Sequence, residues 1–175
     1  MSTVPLTLTD AAGGNTRHAI GVHIVMVDEG GRVLFGRRAR GLRLAGGQWS
    51  TPCGNLEVEP APHGAAREAH EELGIVIDPT ELVFAHLIHF VNQEGFGPAF
   101  AAFFIARTWT GTPRICEPDK CDELEWRALD DLPQPIVPYV ASSLDHIGTA
   151  LAAGSAKATF SLHGWPRAAP VTTTL

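Results

Sequence analysis

Apolar and polar residues first alternate between residues 18 and 27. Ile20, Val22, Ile24 and Met26 share one side, and Gly21 and His23 fall on the other. A period of two predicts a strand over 18–27. Asp28-Glu29-Gly30-Gly31 ends it as a turn, and residues 32–38 read as a second strand that pairs back as a hairpin. Residues 75–77 begin a further strand that Asp78-Pro79 stops. The stretch 82–91 is another, carrying His86 and His89, for which structural roles are expected. After a turn over 92–97 comes a long strand over 98–109, with Ala99 to Ala106 unbroken by a polar residue. Such a run must be covered on both faces, as in the central sheet of a layered α/β fold. Val140, Leu144, Ile147 and Leu151 recur at three- and four-residue spacing and predict a closing helix over 137–153. Residues 160–165 read as a last strand or an extended arm. The remaining ends read as a flexible arm over 1–17 and a loose tail over 166–175, which leaves one domain over 18–165.

A second helix is expected in the second half of the stretch 54–74. Pro62 suits a first turn, where a missing N–H costs nothing, and Gly74 is a ready left-handed stop. At roughly 100° per residue, Ala65, Ala69 and Leu73 share one side, and Glu68, Glu71 and Glu72 share another. The acidic side is poorly arranged for stability. Glu68 and Glu72 are like charges at i,i+4, and Glu71 and Glu72 sit at the negative end of the helix dipole. Two carboxylates about 6 Å apart repel by roughly 3 kcal/mol at an effective dielectric near 20. Arg67 is the nearby compensating charge. A hard divalent cation such as Mg2+ or Mn2+ would reverse the sign of these repulsions.

The segment Arg67-Glu68-Ala69-His70-Glu71-Glu72-Leu73-Gly74-Ile75 resembles the second half of the Nudix box, Gly-x5-Glu-x7-Arg-Glu-aliphatic-x-Glu-Glu-x-Gly-aliphatic, and Glu59 lies at the right distance before Arg67. Trp49 and Pro52 match the Gly-x-Trp-x-x-Pro lead-in. On these residues the chain is identified as a member of the Nudix (MutT-like) hydrolase family. The first half of the box departs from the pattern. Cys53 stands at the opening Gly position, and the loop before Glu59 is one residue short and stiffened by Pro60. The resemblance implies an α/β fold: a Nudix α/β/α sandwich with a mixed central sheet and a loop-helix-loop metal site. It implies metal binding by Glu68, Glu71 and Glu72, and an Arg67–Glu59 pair that holds the loop against the helix. Glu117, in the acidic segment Glu117-Pro-Asp-Lys-Cys-Asp-Glu, is the candidate for an added metal ligand or the catalytic base, with Asp119, Asp122 and Glu123 as rivals. The base is thus one of the box glutamates, Glu71 and Glu72 among them, or Glu117. Trp49 is expected either to pack under the loop or to contact a base or sugar, while Arg37, Arg38, Arg40 and Arg43 could reach a phosphate tail.

Composition narrows the partners. Net charge is −6 and the chain has two lysines, Lys120 and Lys157, which argues against nucleic-acid polymers, whose binding takes a basic face. A nucleotide remains open, because metal and one or two arginines can meet its charge locally. No apolar stretch is long enough to span a bilayer, and three cysteines, an odd number, point to a reducing, cytoplasmic setting. The expectation is therefore a Mg2+-dependent hydrolase, with Mn2+ as a possible substitute, that cleaves the diphosphate bond of a nucleoside di- or triphosphate or nucleotide derivative, as a monomer or homodimer. The alternative is a Nudix-fold nucleotide-binding module with little or no hydrolysis, motivated by Cys53 and the shortened loop.

Overall fold

The computed structural model describes residues 7–9, 16–91, 98–154 and 157–165. In chain order these form β1 (Thr7–Thr9), β2 (Thr16–Met26), β3 (Val33–Arg38), β4 (Trp49–Ser50), β5 (Cys53–Asn55), α1 (Ala61–Leu73), β6 (Val83–Phe90), β7 (Ala99–Ala106), β8 (Cys121–Arg127), α2 (Pro138–Ala152) and β9 (Thr159–His163). The main sheet runs β1-β2-β7-β6-β9, with β5 added to the edge of β2. It is mixed: β2 and β7 are parallel, β7 and β6 antiparallel, and β6 and β9 parallel.

The two faces of this sheet follow from the alternation. Val22, Ile24 and Met26 of β2 and Ala102, Phe104 and Ala106 of β7 pack against Ala65, Ala69 and Leu73 of α1. Val25, Phe103 and Ile105 face the other way, against Val140, Leu144 and Ile147 of α2. β7 is covered on both sides, as its unbroken apolar run requires. Ala65 and Ala69 are fully buried, and their small side chains let α1 lie close to the sheet. Leu151, in the last turn of α2, stays exposed.

Three expectations change. β3 does not form a hairpin ladder with β2; a single antiparallel bridge, Val27 to Val33, joins them. Both edges of β2 are already taken, by β7 on one side and by β5 and β1 on the other. β3 instead pairs with β4 and β8 in a second, three-stranded sheet. Residues 75–77 make only one bridge, from Val76 to Thr110, because Asp78-Pro79 cuts the segment short while Ile75 and Ile77 plug the α1 core. Within the expected arm, Thr7–Thr9 pairs antiparallel with Thr16–His18; the rest of that arm, the turn over 92–97 and the tail over 166–175 lie outside the described residues.

The α2 face also buries two histidines. His86 lies 2.7 Å from Thr159 Oγ1 and 2.9 Å from Ser161 Oγ, which ties β9 to β6. His23 lies 2.9 Å from Thr51 Oγ1 and 3.1 Å from Tyr139 Oη. Burial, with the neighbouring His146, pushes His86 down to about 4; burial, with Arg38, pushes His23 down to about 3. Unfolded, each takes a proton near pH 6.5. Below that pH the unfolded chain binds more protons than the native one, so the stability held by each neutral ring falls as pH drops from about 6.5 toward its folded value. Urea unfolding at pH 7 and pH 5 should therefore show the His86→Asn protein losing about 2 kcal/mol less than the parent over this interval. Equal losses would show that His86 does not titrate in this way.

Candidate active site

α1 starts at Ala61 behind Pro60, with Pro62 in its first turn, and ends on Gly74 at φ 67°. Its last carbonyls do not face water. Arg114 donates its N–H to the Leu73 carbonyl at 3.1 Å, and Cys116 donates to that of Glu72 at 3.0 Å. The segment 114–116 thus docks on the helix end. The next residue is Glu117, whose negative charge raises the electrostatic cost of charging Glu72. Lys120 and Cys121 both donate backbone N–H groups to the Glu117 carbonyl at 2.9 Å. This turn brings the Lys120 ammonium to 2.8 Å from Glu117 Oε1. Glu117 Oε2 is buried and has no hydrogen-bond partner.

Arg67 uses its whole guanidinium. Nε and Nη2 donate to Glu59 at 3.0 and 2.8 Å, Nη2 also donates to the Asn55 carbonyl at 3.0 Å, and Nη1 donates to Glu68 at 2.8 Å and Glu71 at 3.0 Å. Such forked, charge-assisted bonds are the strong ones. They hold Glu59 below its ordinary carboxylate range and close the loop onto the helix despite its missing residue. Glu68 is buried, and burial raises it despite Arg67. Its carboxylate lies flat against Gly54, where a Cβ would occupy the same space. Glu72 accepts the Cys53 N–H at 3.0 Å. Burial, together with the negative charges of Glu68 and Glu117, pushes Glu72 up to about 8. The Cys53 thiol is pushed up to about 12 by burial and by Glu72, so it is neutral and contributes its backbone N–H rather than a nucleophile.

The structure thus gathers Glu59, Arg67, Glu68 and Glu71 in one ion-pair network and sets Glu72 and Glu117 beside it. Among the described residues no three His, Cys, Asp or Glu side chains stand ready as a metal cage; Arg67 holds Glu68 and Glu71 in its place. Glu71 remains half exposed. The phosphate- and base-contact expectations fare differently. Trp49 is buried in the α2-side core, so it packs rather than offering an open face, and the Arg37 guanidinium lies 5.7 Å over its ring. Arg37 is itself paired with Asp122 at 2.7 Å and Glu123 at 2.6 Å. Arg38 donates Nε to the Leu44 carbonyl at 3.1 Å. Sequence reasoning missed Lys120, Gly54, the Asn55 carbonyl and the Cys53 N–H. The i,i+3 spacing of Glu117 and Lys120 was the one available signal, and it has meaning only once that segment is known to turn.

A NUDIX domain model matches residues 17–146. The chain belongs to the NUDIX domain family. Its likeness to a MutT NUDIX hydrolase from Burkholderia pseudomallei is 30% identity at a TM-score of 0.66, over 74% of this chain and 97% of that one. A MutT protein from Methanosarcina mazei matches at 22% identity and TM-score 0.66, over 76% and 94% of the two chains. The NUDIX domain of Shewanella oneidensis NrtR, solved with ADP ribose, matches at 16% and 0.62, over 75% and 87%. The last two speak for the fold alone. This chain is a Nudix hydrolase with the family's mixed α/β architecture.

The fit of Gly54 against Glu68 gives a direct test of the local geometry. Gly54→Ala should force the buried carboxylate aside and lower Tm by about 3–10 °C. Gly41→Ala, where an added Cβ meets nothing within 4 Å, should leave Tm unchanged in the same melting experiment.

Proposed function

We propose that this Nudix hydrolase depends on Mg2+, with Mn2+ able to replace it, and cleaves the diphosphate bond of a nucleoside di- or triphosphate or nucleotide derivative. The observation that carries the reading is the buried, unpartnered Glu117 Oε2 beside Glu72. Buried polar atoms are almost always satisfied, and Lys120 meets only the other oxygen of Glu117, Oε1, so Oε2 is left open to a further positive partner. The donors are all carboxylate oxygens, the set that suits a hard cation. Glu68, Glu71 and Glu72 would hold it. The cation would polarise the bridged phosphates and lower the pKa of a bound water.

This chain's own groups supply the rest. Water adds to a phosphorus, the bridging P–O bond breaks, and the water's proton passes to a carboxylate within hydrogen-bond reach. Glu117 Oε2, which accepts no other bond, is our candidate for that base. Arg67 and Glu59 keep the loop closed over the helix, and the Cys53 N–H orients Glu72. The closed Arg67–Glu59 clamp favours an active hydrolase over a module that only binds. A small nucleotide rather than a nucleic-acid polymer fits the net charge of −6. The NrtR domain with ADP ribose puts nucleotide derivatives within the panel to be tried. Cytoplasmic residence and a monomer or homodimer complete the reading; no helix among the described residues is long and apolar enough to cross a membrane.

The test is incubation with Mg2+ and a panel of nucleoside triphosphates, modified triphosphates, nucleotide sugars and dinucleotides, with released phosphate, pyrophosphate and monophosphate as readout. Glu72→Gln should lower kcat by about 10²–10⁴-fold. Full turnover in that variant would sink the assignment, and ligand-induced stabilisation without any turnover in the parent would favour the binding module.

A further inference from the structure

We propose that Lys120 is the resident counter-ion of the carboxylate cluster, and that a divalent cation entering the site must compete with it, so that Lys120 sets how tightly the metal is held. This rests on the reading of Glu68, Glu71 and Glu72 as a metal site. Among the described residues two side-chain cations act on this cluster, Arg67 by direct bonds and Lys120 through its bond to Glu117, and they differ in kind. Arg67 is fixed: its three nitrogens make five bonds of 3.0 Å or less, to Glu59, Asn55, Glu68 and Glu71. Lys120 makes one, at 2.8 Å to Glu117 Oε1, and its side chain is 53% exposed. An ammonium on a flexible stem, well hydrated and held by one partner, can leave where a forked guanidinium cannot.

The position of Lys120 comes from backbone. The turn closed by the Lys120 and Cys121 N–H groups on the Glu117 carbonyl folds Lys120 back over the carboxylate three residues before it. The Arg114 and Cys116 bonds to the end of α1 fix that turn against Glu72. Its charge acts beyond Glu117, on Glu72 and Glu68 as well. In the ion-free protein it offsets part of the repulsion among these three groups. Once a divalent cation is bound, the same charge becomes a like-charge neighbour and weakens binding, because the Coulomb energy changes sign with its partner. The protein thus carries an internal rival for its metal, which keeps the bound ion exchangeable.

The experiment uses the full chain without nucleotide. Mn2+ affinity is measured by titration calorimetry and by the electron paramagnetic resonance of free Mn2+, and urea stability is measured in chelator, for the parent, Lys120→Gln and Lys120→Arg. Lys120→Gln should bind Mn2+ roughly tenfold more tightly than the parent and be less stable in chelator. Lys120→Arg, which keeps the charge, should stay close to the parent in both. Equal or weaker Mn2+ binding by Lys120→Gln would overturn the proposal while leaving the metal site standing. A folded parent that binds no Mn2+ would overturn the metal reading and this inference with it.

Discussion

The structure is organised around the difficulty of laying a carboxylate-rich helix on a sheet. α1 must come close enough for Ala65 and Ala69 to be fully buried, and that approach carries Glu68 down against β5. Every neighbour then answers to the buried negative charge. Gly54 has no side chain because the Glu68 carboxylate takes its space. Arg67 threads between Glu59, Glu68 and Glu71, Cys53 turns its N–H to Glu72, and the segment 114–120 brings in a lysine. Each device is local, and among the described residues they leave one fully buried side-chain oxygen, Glu117 Oε2, without a hydrogen-bond partner.

The same sheet serves a different purpose on its other face. There the polar groups are neutral imidazoles and hydroxyls, and they are satisfied. His23 links Thr51 to Tyr139, while His86 links Thr159 and Ser161. His23 is also level with Cys53 across the β2–β5 pairing. The α2 face therefore stiffens the strand whose outer edge presents the box loop. One face tolerates charge in order to act, and the other removes it in order to hold shape.

The legible parts of the molecule were those set by periodicity. The alternation in β2, the unbroken run of β7 and the bounds of α1 rest on local rules, and their neighbours in space did not change them. The partner of β3 was not local. It depended on which edges of β2 were already occupied, and residues 32–38 carry no trace of that. The same holds in the site. The pairing of Arg67 with Glu59 was implied by the resemblance to the Nudix box, whereas Trp49, readable as either a packing or a contact residue, lies in the core that closes around it. Lys120 and the Cys53 N–H became visible only with the turn after Cys116 and the register of β5 in place.

The docking of residues 114–116 on the end of α1 also orders the site in time. The box residues from Glu59 to Glu72 are complete early in the chain, whereas Glu117 and Lys120 follow β7, which lies in the sheet beside β2. The Nudix motif by itself is half of a centre. Residues 114–120 lie more than forty residues beyond Glu72 in the chain, so they meet it through long-range contacts, the slow kind to form.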